Sequence, residues 1–512
     1  MSRVAVSSSS QIAADAGARV ADEGGNAVDA AVAAILVSTV VEPGICSLGG
    51  GAFVTVLPPG GDPVTVDGYV EMPGRGLRAD RFGKGAREVS LGYGGGVETT
   101  VGHGAIATPG ALAALGLAWE RHGHIAWPKL IAPAREWAHR GFPLSKTARF
   151  YLGFSADAIF GWHEEGRKAL YHPGGALLEE GETVRIPGLA ATLDRIAAEG
   201  AREFYEGRTA ELIAAEVEAH GGILTLDDLQ AYQPIERDPI RIEFGGWEIA
   251  TNPPPAVGGA TLAAMLLLME NRPRGDWTPQ EAARMVRVQE AVFEYRAEHL
   301  DQAEDPWGAM ADLLGPKGMA ALRRRVGSDS TAHTSTVDAD GLACGVTISS
   351  GYGSGVMPPG TGVWLNNCLG EQELNRKGFH ASDPGSRLSS NMAPTVARGP
   401  HGSSLSIGSP GADRITSAIL QVLVNFVNGG MTLPEAIGYP RVHLERVGEG
   451  FRAAHEPGHP VEALTDVSRR AFEGLDMYFG GAGATLHHPV EGFTAAADPR
   501  RQGGVAIGGK EG

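Results

Sequence analysis

The 512-residue chain has only three cysteines, Cys46, Cys344 and Cys368. They are far apart, odd in number and in no ligand spacing, which excludes a disulfide framework and a cysteine-based metal site. A reducing, cytoplasmic setting is expected. Positive charge is also scarce: 43 basic residues stand against 60 acidic ones, a net charge of −17. That balance argues against a nucleic-acid or anionic-membrane surface and makes a small molecule the expected partner. Long hydrophobic runs are missing as well. The longest, Ala27 to Val41, carries Asp29 and falls short of the roughly 20 residues that span a bilayer. The opening MSRVAVSSSS has no basic-then-apolar stretch, so no signal peptide is expected. Aromatics are only 6%, whereas glycine, at 74 residues, is about twice as common as usual. With 43% hydrophobic residues, the chain has ample material for a packed core with many tight turns.

Periodicity organises the first part of the chain. Residues 11–23 read as an amphipathic helix stopped by Gly24-Gly25. Asn26 then caps a second helix, Ala27 to about Val40, that is apolar nearly all round. A strand over 52–57 follows, then Gly-rich loops and short strands over 67–108. Helical periods return over 111–136, 190–199, 207–219, 259–270, 279–300 and 317–326. From Ser328 to Asp338 the sequence turns β-branched and hydroxyl-rich, and with Leu342–Ser350 it predicts a hairpin. A short strand is expected over 363–365. Strand 404–407, turn 408–412 and helix 415–428 would present backbone N–H groups at a helix start. No repeat or low-complexity linker separates the parts.

Several motifs are decoys. His455-Glu456-Pro457-Gly458-His459 matches HExxH, a pattern that needs both histidines on one helix face. Pro457 and Gly458 oppose a helix there, so a solvated turn before a helix over 460–472 is expected. Gly353-Ser354-Gly355 lacks the Gly-Lys-Ser/Thr of a phosphate loop. There is no Gly-x-Ser-x-Gly elbow, and the histidines, among them His103, His122 and His124, are scattered. The hydroxyl cluster at Thr331, Thr334, Ser335, Thr336, Thr347 and Ser349 reads on its own as a half-exposed strand.

Taken together, the motifs resemble the γ-glutamyltranspeptidase family over nearly the whole chain. The resemblance rests on Gly24-Gly25-Asn26-Ala27-Val28-Asp29-Ala30-Ala31, Val41-Glu42-Pro43, Gly49-Gly50-Gly51 and the segment Thr331–Gly341. Gly353-Ser354-Gly355, Asn366-Asn367, Leu388-Ser389-Ser390, Pro394-Thr395 and Gly408-Ser409-Pro410-Gly411 follow in the family's order. It implies an α+β fold, the four-layer αββα sandwich of N-terminal-nucleophile hydrolases. It also implies a precursor that cuts itself between Ser330 and Thr331, giving a large segment, 1–330, and a small one, 331–512, intertwined in one domain. The freed α-amine, with an ordinary pKa near 7.7–8.0, would serve as base for the Thr331 hydroxyl, which an amide nitrogen cannot do. Thr331 would form an acyl-enzyme, Ser349 would hydrogen-bond the nucleophile, and the Gly411 and Ala412 N–H groups would form the oxyanion hole. Ser389 and Ser390 would meet the substrate carboxylate, and water or an amino acid would accept the acyl group. The mechanism needs no metal and no organic cofactor. Its partners are the amide substrate, the acceptor and its own two subunits.

The sequence departs from the family at the substrate pocket. The family's carboxylate-binding Arg lies in an Asp-x-Arg-Glu-x-x-Pro stretch, which here is Asp67-Gly68-Tyr69-Val70-Glu71-Met72-Pro73. Counting from Asp67 puts Tyr69 at that position, and aligning on Glu71 puts Val70 there. Arg75 or Arg78 are possible substitutes. Glu371 takes the place of an ammonium-binding Asp, and the shortened segment 371–389 predicts an open site without a lid. Hydrolysis or transfer of γ-glutamyl groups, as from glutathione, is the expected activity. A glutaryl/cephalosporin-type amide acylase, or an uncleaved non-catalytic relative, is the alternative.

Overall fold

The computed structural model describes residues 3–510 except 93–95, 274, 302, 323–331, 372–373, 376 and 449. Ser330 and Thr331, and with them the proposed cleavage site, lie outside the described residues.

Local signals start the first two helices. The Ser10 side chain accepts from the Ala13 N–H at the start of α1 (Gln11–Asp22), and Asn26 with Asp29 forms a capping box for α2 (Ala27–Val41). Each cap supplies about 1 kcal/mol. Every residue of α2 is buried, as its all-round apolar sequence requires.

Two antiparallel sheets form the centre. Their strands in chain order are β1 (Val4–Ser8), β2 (Gly51–Leu57), β3 (Val64–Gly68), β4 (Ile235–Arg237), β5 (Ile240–Phe244), β6 (Trp247–Thr251) and β7 (Ala332–Asp338). Then come β8 (Ala343–Ser349), β9 (Thr395–Arg398), β10 (Ser404–Gly408), β11 (Gly483–His488), β12 (Gly492–Ala497) and β13 (Gly504–Gly508). The first sheet has the order β13-β1-β7-β8-β2-β3-β4 and the second β12-β11-β10-β9-β6-β5. Val4 pairs with Gly508, Ala332 with Ile348, and Ser349 with Gly51.

Side-chain alternation divides the core. On β1, Val4 and Val6 join the helices, while Ala5 faces the second sheet. On β10, Leu405 and Ile407 join the helices of the other side, while the Ser406 Oγ donates across to the Cys344 carbonyl of β8. Helices α1, α2, α3 (Ala111–His122) and α4 (Trp127–Arg140) share the first core, with α1, α2 and α3 directly on the first sheet. α5 (Arg208–Ala219) lies further out in that core. On the second sheet's side lie α6 (Gly258–Met269), α7 (Pro279–Tyr295) and α8 (Arg414–Leu423). Between the sheets the apolar cluster is small: Ala5, Leu57, Ala250, Val337, Ala343 and Val396. Phe493 and Ala495 pack against it, and hydroxyls with the His333 imidazole fill much of the remaining layer.

Three expectations need correction. Residues 460–472 hold a short 3₁₀ helix, Pro460–Ala463, and a strand, Arg469–Ala471, in place of a helix. The expected strand at 363–365 is reduced to a single bridge between Gly49 and Leu365. The His455–His459 turn is not solvated. His455, Glu456 and His459 are buried, because the Glu456 carboxylate pairs with Arg500, which also bonds Asp498 beside Arg441. A buried carboxylate is stable there only with such partners.

Candidate active site

The N-terminal end of β7 gathers the predicted residues. Ser349 lies one register step beyond the Ala332–Ile348 pair, and its Oγ accepts from the Gly351 N–H at 3.1 Å. Gly351, at φ +62°, has the Glu371 carboxylate against its Cα: an added Cβ would meet Oε2 at 2.9 Å. Gly51, which pairs with Ser349, packs as closely against Tyr69, whose ring would be 2.8 Å from a Cβ there. Tyr69 points its hydroxyl at the Cys368 Sγ, 3.8 Å away, with the Ser390 side chain close by. Ser349, Tyr69, Glu371 and Ser390 are thus brought together. Ser389 sits beside Ser390, half-buried, with its Oγ donating to the Pro255 carbonyl at 3.4 Å.

The 408–412 turn reaches the same end. Gly408 closes β10 directly on His333, whose ring would lie 2.3 Å from a Cβ there. Three residues on, Gly411 has φ +136° and Ala412 φ +54°. Both are buried, and among the described residues neither N–H has a hydrogen-bond acceptor. Two adjacent unfilled donors can stabilise an oxyanion. Ala412 adopts a left-handed conformation that costs a residue with a Cβ about 1 kcal/mol.

The two readings of the family's arginine position are now distinguishable. Val70 points into the apolar core of the second sheet's side, while the Tyr69 hydroxyl joins the site. Burial, followed by Cys368 and Glu371, pushes the Tyr69 phenol well above its usual range, so it stays a neutral donor. The nearby guanidiniums serve other groups. Arg387 donates to the Tyr69 and Gln233 carbonyls and pairs with Glu71 and Asp67. Arg75 pairs with Glu71 and Asp228. Arg78 is largely exposed and pairs with Asp80.

Some neighbours had no readable signal in the sequence. The Asn391 amide is buried next to Ser390, and neither of its polar atoms has a partner among the described residues. His333 lies between the sheets, bonded to Thr347 and Ser335, with burial pulling its pKa down to about 3. Ser417, His443 and Asp413 line up as a serine, histidine and carboxylate, with Ser417 Oγ 2.9 Å from Nδ1 and Asp413 3.3 Å from Nε2. All three are buried, and Ser417 also bonds the Arg414 carbonyl, so the set is packing at the start of α8. The Gly353-Ser354-Gly355 loop is no phosphate cradle either. Its Gly353 and Ser354 N–H groups are taken by Asn367 and Leu365.

The Gamma-glutamyltranspeptidase family model matches residues 13–508. This chain belongs to the γ-glutamyltranspeptidase family. It is 29% identical to the glutathione hydrolase proenzyme of Escherichia coli (strain K12), over 97% of this chain and 90% of the relative. It is 30% identical to the acylase ACY 1 proenzyme of Pseudomonas sp. (strain V22), over 99% and 94% respectively. In fold it is similar to a cephalosporin acylase from Bacillus halodurans, with a TM-score of 0.84 at 24% identity, covering 100% of this chain and 96% of that one. The family member is therefore a hydrolase or transferase of the γ-glutamyltranspeptidase/acylase type, with an α+β N-terminal-nucleophile hydrolase fold.

Proposed function

We propose that this protein is a self-cleaving amide hydrolase and acyltransferase of the αββα type whose Thr331, freed by a cut after Ser330, attacks γ-glutamyl amides such as glutathione. Ser349 orients the nucleophile, and the Gly411 and Ala412 N–H groups hold the oxyanion. The observation that carries the reading is the pairing of two adjacent N–H donors, unfilled among the described residues, with a carboxylate, Glu371, set beyond Ser349. Glu371 suits the ammonium of a γ-glutamyl group, since like-with-unlike charge pairing in a buried site is strong. The α-carboxylate meets only neutral donors: Ser389, Ser390 and the Tyr69 hydroxyl. Tyr69 in place of a guanidinium also favours a second reading, an amide acylase of glutaryl type. A cytoplasmic setting belongs to this proposal, and cell fractionation tests it.

Intact mass under denaturing conditions tests the mechanism, beside a Thr331→Ala variant. Two chains of 330 and 182 residues, with the smaller starting at Thr331, and an uncut variant are expected. A single 53.3 kDa chain after prolonged incubation overturns it. The acyl group is read from γ-glutamyl, glutaryl and 4-aminobutyryl anilides side by side. Glutamyl and 4-aminobutyryl turnover well above glutaryl supports Glu371 as the recognising charge, and glutaryl preferred over both makes the acylase reading the right one.

A further inference from the structure

Away from the candidate active site, three of the scattered histidines converge on one carboxylate oxygen. The Glu216 Oε1 lies 3.0 Å from His103 Nε2, 3.1 Å from His220 Nδ1 and 3.3 Å from His163 Nε2. Glu216 and His220, four residues apart at the end of α5, share one helix face. His103 follows the strand Val97–Val101, and His163 precedes the helix Glu164–Leu170. The ligand atoms of His103, Glu216 and His220 all lie within 4.8 Å of one another.

We propose that His103, Glu216 and His220, with His163 beside them, form a binding site for a zinc-class divalent ion. Zinc bonds of about 2.0–2.1 Å in a tetrahedron put ligand atoms about 3.3 Å apart, close to the spacings around Glu216 Oε1. His103 and His163 take the two in-plane lone pairs of Oε1, and the His220 Nδ1 lies between that oxygen and the Glu216 carbonyl, 2.9 Å away. His163 meets Glu216 through Nε2, and its other ring nitrogen, Nδ1, is buried without a partner among the described residues. The donor set, imidazoles with one carboxylate, suits zinc more than calcium or magnesium, which prefer oxygen. His220 is half-exposed and gives the ion an entry path, while His103, His163 and Glu216 are largely covered. The Trp162 ring packs edge-on against both His103 and His163 and shields that side.

The ion would act as a brace. Gly102, next to His103, donates to the Ser354 carbonyl, and Thr99 and Thr100 of the same strand accept from Asn367. On the other arm, Ile159 and Trp162 crowd Gly355 so closely that a Cβ there would come within 2.4 Å of either. One ion would therefore tie α5 to both segments that support the 353–355 loop, two residues beyond the Gly351 against which Glu371 rests.

The test uses the untagged full chain, stripped with a chelator and dialysed against Co(II) and Zn(II) alone. One equivalent of Co(II) with visible d–d absorption, displaced by Zn(II), and a rise in thermal midpoint with Zn(II) are expected. His103→Ala and His220→Ala should each weaken binding at least about tenfold. Glu216→Gln, nearly isosteric, covers the case in which an alanine variant fails to fold. No stoichiometric Co(II) binding, or binding unchanged in folded His220→Ala and Glu216→Gln, overturns the proposal.

Discussion

Arg387 is the side chain whose loss should disturb both fold and site. It is 5% exposed and holds five groups: the carbonyls of Tyr69 at 2.8 Å and Gln233 at 2.7 Å, Glu71 at 3.4 Å, Asp67 at 3.5 Å and the Tyr232 ring at 4.7 Å. Arg387→Met keeps the volume and removes the charge. Asp67 keeps Arg237 at 2.8 Å and Glu71 keeps Arg75 at 3.2 Å, but each loses a buried partner. Breaking such a pair costs about 3–5 kcal/mol. Burial already raises the Glu71 pKa above its usual 4.5, with Arg387 and then Arg75 opposing, so the variant pushes it higher. A carboxyl whose folded pKa lies above its unfolded value favours folding at low pH, and that contribution is lost as pH rises through the folded value. The variant's deficit should therefore grow once pH rises through the wild-type Glu71 value, which lies above 4.5, by at most about 1.4 kcal/mol per pH unit for one proton. Urea unfolding of both proteins at pH 5.0, 6.5 and 8.0 measures this. A deficit below about 1 kcal/mol at pH 8.0, or one that shrinks as pH rises, refutes the reasoning.

Other outcomes follow from single positions. Gly411→Ala puts a Cβ 2.7 Å from the Gly480 Cα at a φ of +136°. It should lower the urea midpoint by the equivalent of about 2 kcal/mol or more and cut turnover about a hundredfold. Ala412→Gly should relieve left-handed strain of about 1 kcal/mol and keep turnover, so a large loss in either measurement would show that the Cβ is needed. His333, held neutral by burial with a pKa of about 3, should show no ring-proton titration by NMR between pH 8 and 5. Because its folded pKa lies below the ordinary 6.5, its contribution to stability is lost as pH falls below that value. Burial raises all three thiol pKa values, so a thiol reagent should leave the native protein unmodified and react with three groups after denaturation.

The outer helices and the central hairpin were legible because their signals are local: Ser10 and Asn26 as caps, an unbroken apolar run in α2, alternating hydroxyls before Asp338. The motif order singled out residues that the fold brings together at one end of the first sheet, Ser349, Glu371 and Ser390 among them. What was hidden depends on side-chain direction and long-range partners. Tyr69 and Val70 are adjacent in sequence and share one buried cluster, but only Tyr69 carries a hydroxyl to Cys368, so only the fold could separate them. The His455–His459 segment looked solvated because its burial depends on Arg441 and Arg500, which reach it from elsewhere in the chain. The histidine cluster comes from three segments, and no spacing in the sequence announces it.

The pairing of β1 with β13 has a practical consequence. Val4 lies opposite Gly508, so the first and last strands are neighbours on one sheet. A circular permutant can join them with a short linker and begin translation at Thr331 behind a removable initiator methionine. On the proposed mechanism, such a protein would carry a free threonine amine from birth, so turnover could be tested apart from the proposed self-cleavage, with both sheets kept in one polypeptide.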